Sequence, residues 1–132
     1  MIEAGEAEVA RDELVWLLSE CPDFLEGHLH LGLIALEDDD PKLARGHFGR
    51  AYELGLRAVE AAGNRAPVPY TLAANKPFFE AAKGLVHCLL ATGRATMARD
   101  VCRRMATLDP DDPLGLAAMV ANFRNQQQQK KP

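Results

Sequence analysis

Apolar residues recur every three or four positions along most of the chain, which is the spacing of an amphipathic helix. Two long stretches rich in Ala, Leu, Glu and Arg carry this pattern, residues 5–62 and 77–124. Turn-forming residues divide these stretches into six predicted helices, at 5–20, 24–37, 41–62, 77–91, 95–107 and 113–124. Little room is left for strands. The pattern therefore predicts an all-α fold of about six antiparallel helices, most of them joined by short links.

Three segments between or after these helices carry their own signals. In "DDDPK" and "DPDDP", Asp40 and Asp112 are predicted N-caps, with Pro41 and Pro113 at the first helical position. Residues 63–76 contain a Gly-Asn pair and two closely spaced prolines, which exclude a continuous helix. The tail 125–132 has nothing apolar to bury and is expected to be disordered.

The stretch "HLHLGLIAL", residues 28–36, fits either a strand or a helix. In a strand, His28 and His30 would share one face and could bind a metal ion. In a helix the two imidazoles point roughly 200° apart and cannot share an ion. The helical period around the stretch favours the second interpretation, which predicts no metal site.

A set of three core positions repeats along the sequence. The second copy follows the first by 34 residues, and the third follows the second by 54, which is one period of 34 plus an insertion of 20. The three copies are Ala10, Leu14 and Leu17, then Ala44, Phe48 and Ala51, then Ala98, Cys102 and Met105.

At this point the chain resembles the tetratricopeptide repeat family, whose 34-residue helix-turn-helix unit carries the pattern W-x2-L-G-x2-Y, A-x3-F-x2-A, P. Residues 28–51 keep the Leu31 and Gly32 pair and the whole Ala-Phe-Ala run. The resemblance continues over residues 82–110, and residues 116–123 take the first-helix positions of a capping helix. His28 stands where the family more often has Trp, and Leu56 replaces a terminal proline.

The resemblance implies a right-handed α-α superhelix, a TPR-like solenoid, formed by a single domain over residues 1–124. The loss of the proline at Leu56 lets the helix from Pro41 continue through Ala62. The expected parts are a half repeat at 5–22, a repeat at 24–62, an insertion loop at 63–76, a repeat at 77–110 and a C-terminal capping helix at 113–124.

In the family, the first helices of the repeats line a concave groove that binds peptides. The corresponding positions of this chain are Glu26, Leu29, Leu33, Leu36, Glu80, Lys83, His87 and Leu90. A second interpretation of the leucines stays open, namely that they only pack against neighbouring helices. The Lys/Asn set with which some members bind a C-terminal carboxylate is not reproduced, because Leu29, Leu33 and His30 stand there and Lys83 is the only basic residue.

The insertion loop carries polar and aromatic side chains that suit a contact role: Arg65, Tyr70, Asn75 and Lys76. Long loops in compact domains are often functional. The loop is expected either to form one wall of the groove or only to connect the lengthened helix to the next repeat.

Composition narrows the function further. With 132 residues, 48% hydrophobic content and a net charge of -4, the chain suits one globular domain and lacks the basic surface that nucleic acid or anionic lipid requires. Its apolar runs are much shorter than the ~20 residues of a membrane helix. The N-terminus lacks a signal-peptide pattern, and the three cysteines contain no CxxC pair, so we expect reduced thiols and a cytoplasmic protein.

Candidate catalytic chemistry is sparse. Ser19 is the only serine and lies in no nucleophile motif, and the carboxylates of 37–40 and 109–112 are explained by turns and caps. We therefore expect no catalytic, cofactor-binding or metal-binding residues and no enzyme activity. Two hypotheses remain: an adaptor or chaperone-like module that binds a protein or peptide segment, or a subunit that forms homodimers through an N-terminal edge of Leu14, Trp16 and Leu17.

Overall fold

The computed structural model describes residues 4–21, 23–63, 70 and 73–129. Within these residues the chain forms six α-helices, one short 3-10 helix at Ala73–Asn75 and no strand, so the predicted all-α class is confirmed. The helices are α1 (Ala4–Glu20), α2 (Leu25–Glu37), α3 (Pro41–Ala61), α4 (Lys76–Ala91), α5 (Ala95–Leu108) and α6 (Leu116–Gln129).

One of the two predicted N-caps is confirmed and the other is corrected. The Asp40 carboxylate accepts a hydrogen bond from the Leu43 amide at 3.1 Å, and α3 begins at Pro41. Asp112 also caps a helix, but α6 begins at Leu116 rather than at Pro113. Its carboxylate accepts from the amides of Leu116 at 2.8 Å and Ala117 at 3.0 Å, which it reaches from four and five residues upstream.

The predicted disordered tail is also corrected, because α6 continues through Asn125 to Gln129. Glutamine has a good helix propensity, and no Gly or Pro interrupts this segment. Residues 130–132 lie outside the described part of the chain.

The turn between α2 and α3 has the same geometry as the turn between α4 and α5. The Asp40 amide donates to the Ala35 carbonyl at 2.9 Å, and the Arg94 amide donates to the Leu89 carbonyl at 2.7 Å. In each turn the preceding residue is left-handed, Asp39 at φ 58° and Gly93 at φ 77°. Both turns are Schellman motifs, and each pair of equivalent residues lies 54 positions apart. The offset predicted from the sequence therefore also holds for the backbone.

The core lies between these two hairpins. The ring of Phe48 is fully buried, and a Cβ atom added at Gly32 or at Gly84 would come within 2.6 or 2.7 Å of it. Phe48 of α3 thus occupies a slot between a glycine of α2 and a glycine of α4. Ala44 and Ala98, the equivalent first positions of the repeated set, are both fully buried.

The segment 28–36 is helical, as predicted, and it separates its two histidines. His28 is half-buried, with its ring centroid 6.3 Å from that of His47 on α3, whereas His30 is exposed. Among the described residues, no group of three or more His, Cys, Asp or Glu side chains is placed to hold a metal ion.

Helix α1 lies at the edge of the molecule and contacts α2 alone among the helices. The Arg11 guanidinium donates to the Asp38 carboxylate, and the Leu18 side chain lies against Gly27 of α2. Across the described segments, none of the helices combines the length and the apolar character needed to cross a bilayer.

Candidate functional site

A cleft of about 640 Å³ lies between α3 and α5 above α4, and we call it the α3–α5 cleft. Leu85 and Leu89 of α4 form its floor. The α3 wall consists of Arg45, Gly46, Gly49, Arg50, Tyr52 and Glu53. The α5 wall consists of Arg94, Met97, Asp100 and Val101.

Two glycines in the interior of α3 open directly onto this cleft. A Cβ atom at Gly46 would meet nothing within 4 Å, and one at Gly49 would meet only the Leu85 side chain, at an ordinary 3.8 Å. By contrast, Gly32 and Gly84 are each pressed against Phe48, and Gly55 against Phe78. Internal packing thus requires Gly32, Gly55 and Gly84 and leaves little space at Gly27, whereas it leaves Gly46 and Gly49 unexplained.

The rim of the cleft carries charged side chains that are fixed by partners in the structure. Arg45 donates to the Thr92 hydroxyl at 3.0 Å. Arg50 forms ion pairs of 3.7 Å with both Asp23 and Glu53. The rim thus combines three guanidinium groups with two carboxylates: Arg45, Arg50 and Arg94 with Glu53 and Asp100.

The floor and inner walls are apolar. Leu85, Leu89 and Val101 are buried, whereas Met97 is 55% exposed. The Tyr52 ring stacks on Phe78 at a centroid distance of 5.9 Å, and burial raises the pKa of its hydroxyl to about 12, opposed by Arg104 and assisted by Asp100. Tyr52 is therefore a neutral side chain at physiological pH.

The eight positions expected to line a groove are divided between core and surface. Leu29 and Leu90 are each only 7% exposed and belong to the core, so for these two the packing interpretation accounts for the side chain. Leu36 is half-buried against the same core. The remaining five are exposed: Glu26, Leu33, Glu80, Lys83 and His87. The α3–α5 cleft contains none of the eight.

Of the four loop residues that were predicted to make contacts, Tyr70 and Lys76 lie close together at the start of α4. The Tyr70 hydroxyl donates to the Glu80 carboxylate at 3.2 Å, its ring lies edge-on to Phe79, and the Lys76 ammonium lies 5.3 Å from the ring centroid. The Tyr70 amide also donates to Asp109 at 3.0 Å. Asn75 ends the 3-10 helix before α4, and Arg65 lies outside the described residues.

The predicted self-association edge is exposed to different degrees. Leu14 is half-buried, whereas Trp16 and Leu17 are 64% and 39% exposed. Two residues that the sequence analysis did not single out, Val9 and Val15, are also exposed on α1, at 58% and 54%. The apolar surface of α1 is therefore larger than the repeated positions indicated.

The α3–α5 cleft was not predicted from the sequence, because the resemblance implies a groove on the first helix of each repeat. One signal was present in the sequence: Gly46 and Gly49 lie three apart in the interior of a helix, where each costs about 0.5–1 kcal/mol relative to Ala.

Comparison with known proteins adds no assignment: no protein-family model, no curated protein and no solved structure matches this chain.

Proposed function

We propose that this protein is a non-enzymatic interaction module, an adaptor or chaperone-like scaffold of the cytoplasm, that binds an amphipathic helical segment in the α3–α5 cleft. The observation that carries the proposal is the pair Gly46 and Gly49, which open onto the cleft and are not needed by internal packing. A bound segment that approaches the α3 backbone closely gives these two glycines a role.

The dimensions of the cleft suit about two turns of helix. Its α3 wall extends from Arg45 to Glu53 and its α5 wall from Arg94 to Val101. At 1.5 Å per residue these walls are roughly 12 Å and roughly 10 Å long. A helical segment with apolar residues at positions i, i+4 and i+7 would present them over the same length.

The chemistry of the cleft resembles that of protein interfaces. An apolar centre of Leu85, Leu89 and Val101 is surrounded by a charged rim, and Met97 adds a flexible apolar side chain that adapts to its partner. Three arginines against two carboxylates leave the rim with a net positive charge, which favours a segment whose apolar ridge is flanked by acidic residues.

The proposal includes the repeat architecture: the α2–α3 and α4–α5 hairpins are tetratricopeptide-like repeats that stack in a right-handed superhelix, with α6 as the capping helix. The shared Schellman turns and the 54-residue offset support it. The proposed cleft lies on the second helices, α3 and α5, and differs from the first-helix groove that the resemblance implies.

The test uses three labelled helical peptides of equal length that share one apolar ridge and carry acidic, neutral or basic flanks. Binding is measured by fluorescence anisotropy to the wild-type protein and to two variants. Gly46→Gln places a side chain in the cleft, and Leu33→Asp changes the exposed face of α2. We expect the acidic peptide to bind most tightly, Gly46→Gln to weaken it at least about tenfold, and Leu33→Asp to leave it unchanged.

Two results would overturn the proposal. One is the absence of binding by every peptide of the panel. The other is the reverse pattern of variants, in which Leu33→Asp abolishes binding and Gly46→Gln does not, because that pattern places the site on the first helices instead.

A further inference from the structure

The α3–α5 cleft has a ligand within the protein's own sequence: we infer that it binds helix α1 of a second copy of this chain. The inference rests on the proposed function of the cleft and names its occupant. It is supported by the apolar surface of α1, by the distribution of charge between the helices and by the position of α1 in the fold.

Helix α1 concentrates the exposed apolar surface of the described residues. Among the described residues, eight large apolar side chains are exposed. Four of the eight belong to α1: Val9, Val15, Trp16 and Leu17. Val9 and Trp16 are seven residues apart, so they lie on one face and are separated by roughly 10 Å along the axis. This two-residue ridge, which has Glu13 rather than an apolar residue at position i+4, spans the length of the cleft walls.

The charges of the two surfaces are complementary. Helix α1 has five acidic residues and one basic residue, and the exposed Asp12 and Glu13 lie between Val9 and Trp16 in sequence. The charged residues that line the cleft are three arginines, Arg45, Arg50 and Arg94, and two acids, Glu53 and Asp100, so the cleft has a net positive charge. An acidic helix with an apolar ridge is the partner that the arginine rim and apolar floor of the cleft favour.

The contact has to form between two molecules. Among the described residues, α1 packs against no helix other than α2, and the cleft is lined by α3, α4, α5 and the preceding Arg94. Each copy therefore presents both surfaces at once. Two copies can exchange α1 contacts reciprocally to give a dimer, or successive copies can associate head to tail.

The experiment follows association of the full chain over a range of concentrations by sedimentation velocity and by tryptophan emission. Trp16 is the only tryptophan, so the emission reports on the proposed contact directly. We expect the mean mass to rise with concentration and the emission to shift to shorter wavelength in parallel, because Trp16 becomes buried.

Two variants separate the two surfaces. Val9→Lys changes the α1 ridge and leaves the cleft intact, and Gly46→Glu places bulk and negative charge in the cleft and leaves α1 intact. Gly46→Gln adds bulk without charge, so it is expected to weaken association, but less than Gly46→Glu does. Each surface variant alone is expected to be monomeric with native circular dichroism, and an equimolar mixture of the two is expected to form a 1:1 complex, because it restores one intact helix and one intact cleft.

The outcomes distinguish this inference from the proposed function. A protein that stays monomeric at all concentrations, or a mixture of variants that does not associate, overturns the inference. Association that persists in Gly46→Glu alone and is lost in Val9→Lys also overturns it, because that pattern places α1 against α1 instead of in the cleft. If the acidic panel peptide binds the cleft while a peptide of residues 4–20 does not, the proposed function stands and the occupant is a helix of another protein. If neither peptide binds, both proposals fail.

Discussion

Phe48 shows how single residues fix the packing of this protein. Its ring is fully buried between Gly32 of α2 and Gly84 of α4, with no space for a Cβ atom on either side. Phe48 is one of the three repeated core positions, and Gly32 belongs to the Leu-Gly pair that carries the family resemblance. The second glycine, Gly84, does not follow the 54-residue offset, because the residue 54 positions after Gly32 is Val86.

A matched pair of Gly→Ala substitutions tests this packing. Gly32→Ala places a Cβ atom 2.6 Å from Cε1 of Phe48, so we expect it to lower the free energy of unfolding by about 1–3 kcal/mol. Gly46→Ala meets no neighbour and should raise it by about 0.5–1 kcal/mol, through helix propensity alone. Urea denaturation measures both changes. Equal effects of the two substitutions would contradict the assignment of Gly32 to a packed crossing.

His47 makes the stability of the protein dependent on pH. Burial, and then the charge of His28 nearby, lower the pKa of His47 below its ordinary value of 6.5. The unfolded chain therefore binds a proton at a higher pH than the folded chain does. The stabilising contribution is complete above pH 6.5 and is lost as the pH falls from there toward the lower folded-state pKa.

We expect the Tm of the wild-type protein to fall when the pH is lowered from about 7.5 to about 5.5, and His47→Gln to reduce that fall. His30→Gln is the control, because the His30 side chain is exposed. Thermal unfolding followed by circular dichroism at several pH values gives the comparison. An unchanged pH dependence in His47→Gln would refute the role of this residue.

At the scale of elements, α3 presents two different faces. Its core face carries Ala44, Phe48 and Ala51, which are fully buried, and its cleft face carries Gly46 and Gly49. The first face follows the repeated pattern and was predicted. The cleft face was not predicted, because glycines do not contribute to a hydrophobic pattern. It is defined only by the tertiary structure, in which α5 forms the opposite wall of the cleft.

The start of α6 depends on one side chain. Asp112 has a left-handed backbone, with φ 48°, and its carboxylate accepts the two amides of Leu116 and Ala117. Asp112→Ala removes both hydrogen bonds and leaves a less tolerant residue in that conformation, so we expect a loss of about 1–2 kcal/mol in the free energy of unfolding. Asp112→Asn keeps an acceptor and tolerates the left-handed region, and should lose much less. Urea denaturation that finds Ala and Asn equivalent would exclude the capping role.

At the scale of the whole molecule, α4 is central and α1 is peripheral. Helix α4 contacts α2, α3, α5 and α6, whereas α1 contacts only α2. Among the described side chains of α1, none is buried. The helix proposed to bind a second copy is therefore also the helix with the fewest ties to its own chain.

Native-state hydrogen exchange should reflect this arrangement. We expect the amides of α1 to exchange through openings of lower free energy than those of α4, since local stability follows local burial. Asp38→Asn, which removes the ion pair with Arg11, should increase exchange in α1 and leave α4 unchanged. Uniform protection of α1 and α4 in the monomeric protein would contradict the prediction.

The sequence by itself determined the local architecture. The six helices begin and end within a few residues of their predicted bounds, Asp40 and Pro41 start α3, and the 54-residue offset recurs in both hairpin turns. These features depend on helical periodicity, capping and turn geometry, which involve residues close together in the chain. The two exceptions are both boundaries of α6, namely its start at Leu116 and its extension to Gln129. A turn or a run of glutamines can shift the end of a helix without changing the spacing of its apolar residues.

Only the tertiary structure decided which faces remain accessible. Leu29 and Leu33 lie four residues apart on one helix and look alike in sequence, yet their exposed fractions are 7% and 46%. Arg45 and Asp100 both line the α3–α5 cleft, although they are more than fifty residues apart in the chain. Burial and clefts depend on how distant helices cover one another, and the local spacing of apolar residues carries no information on that.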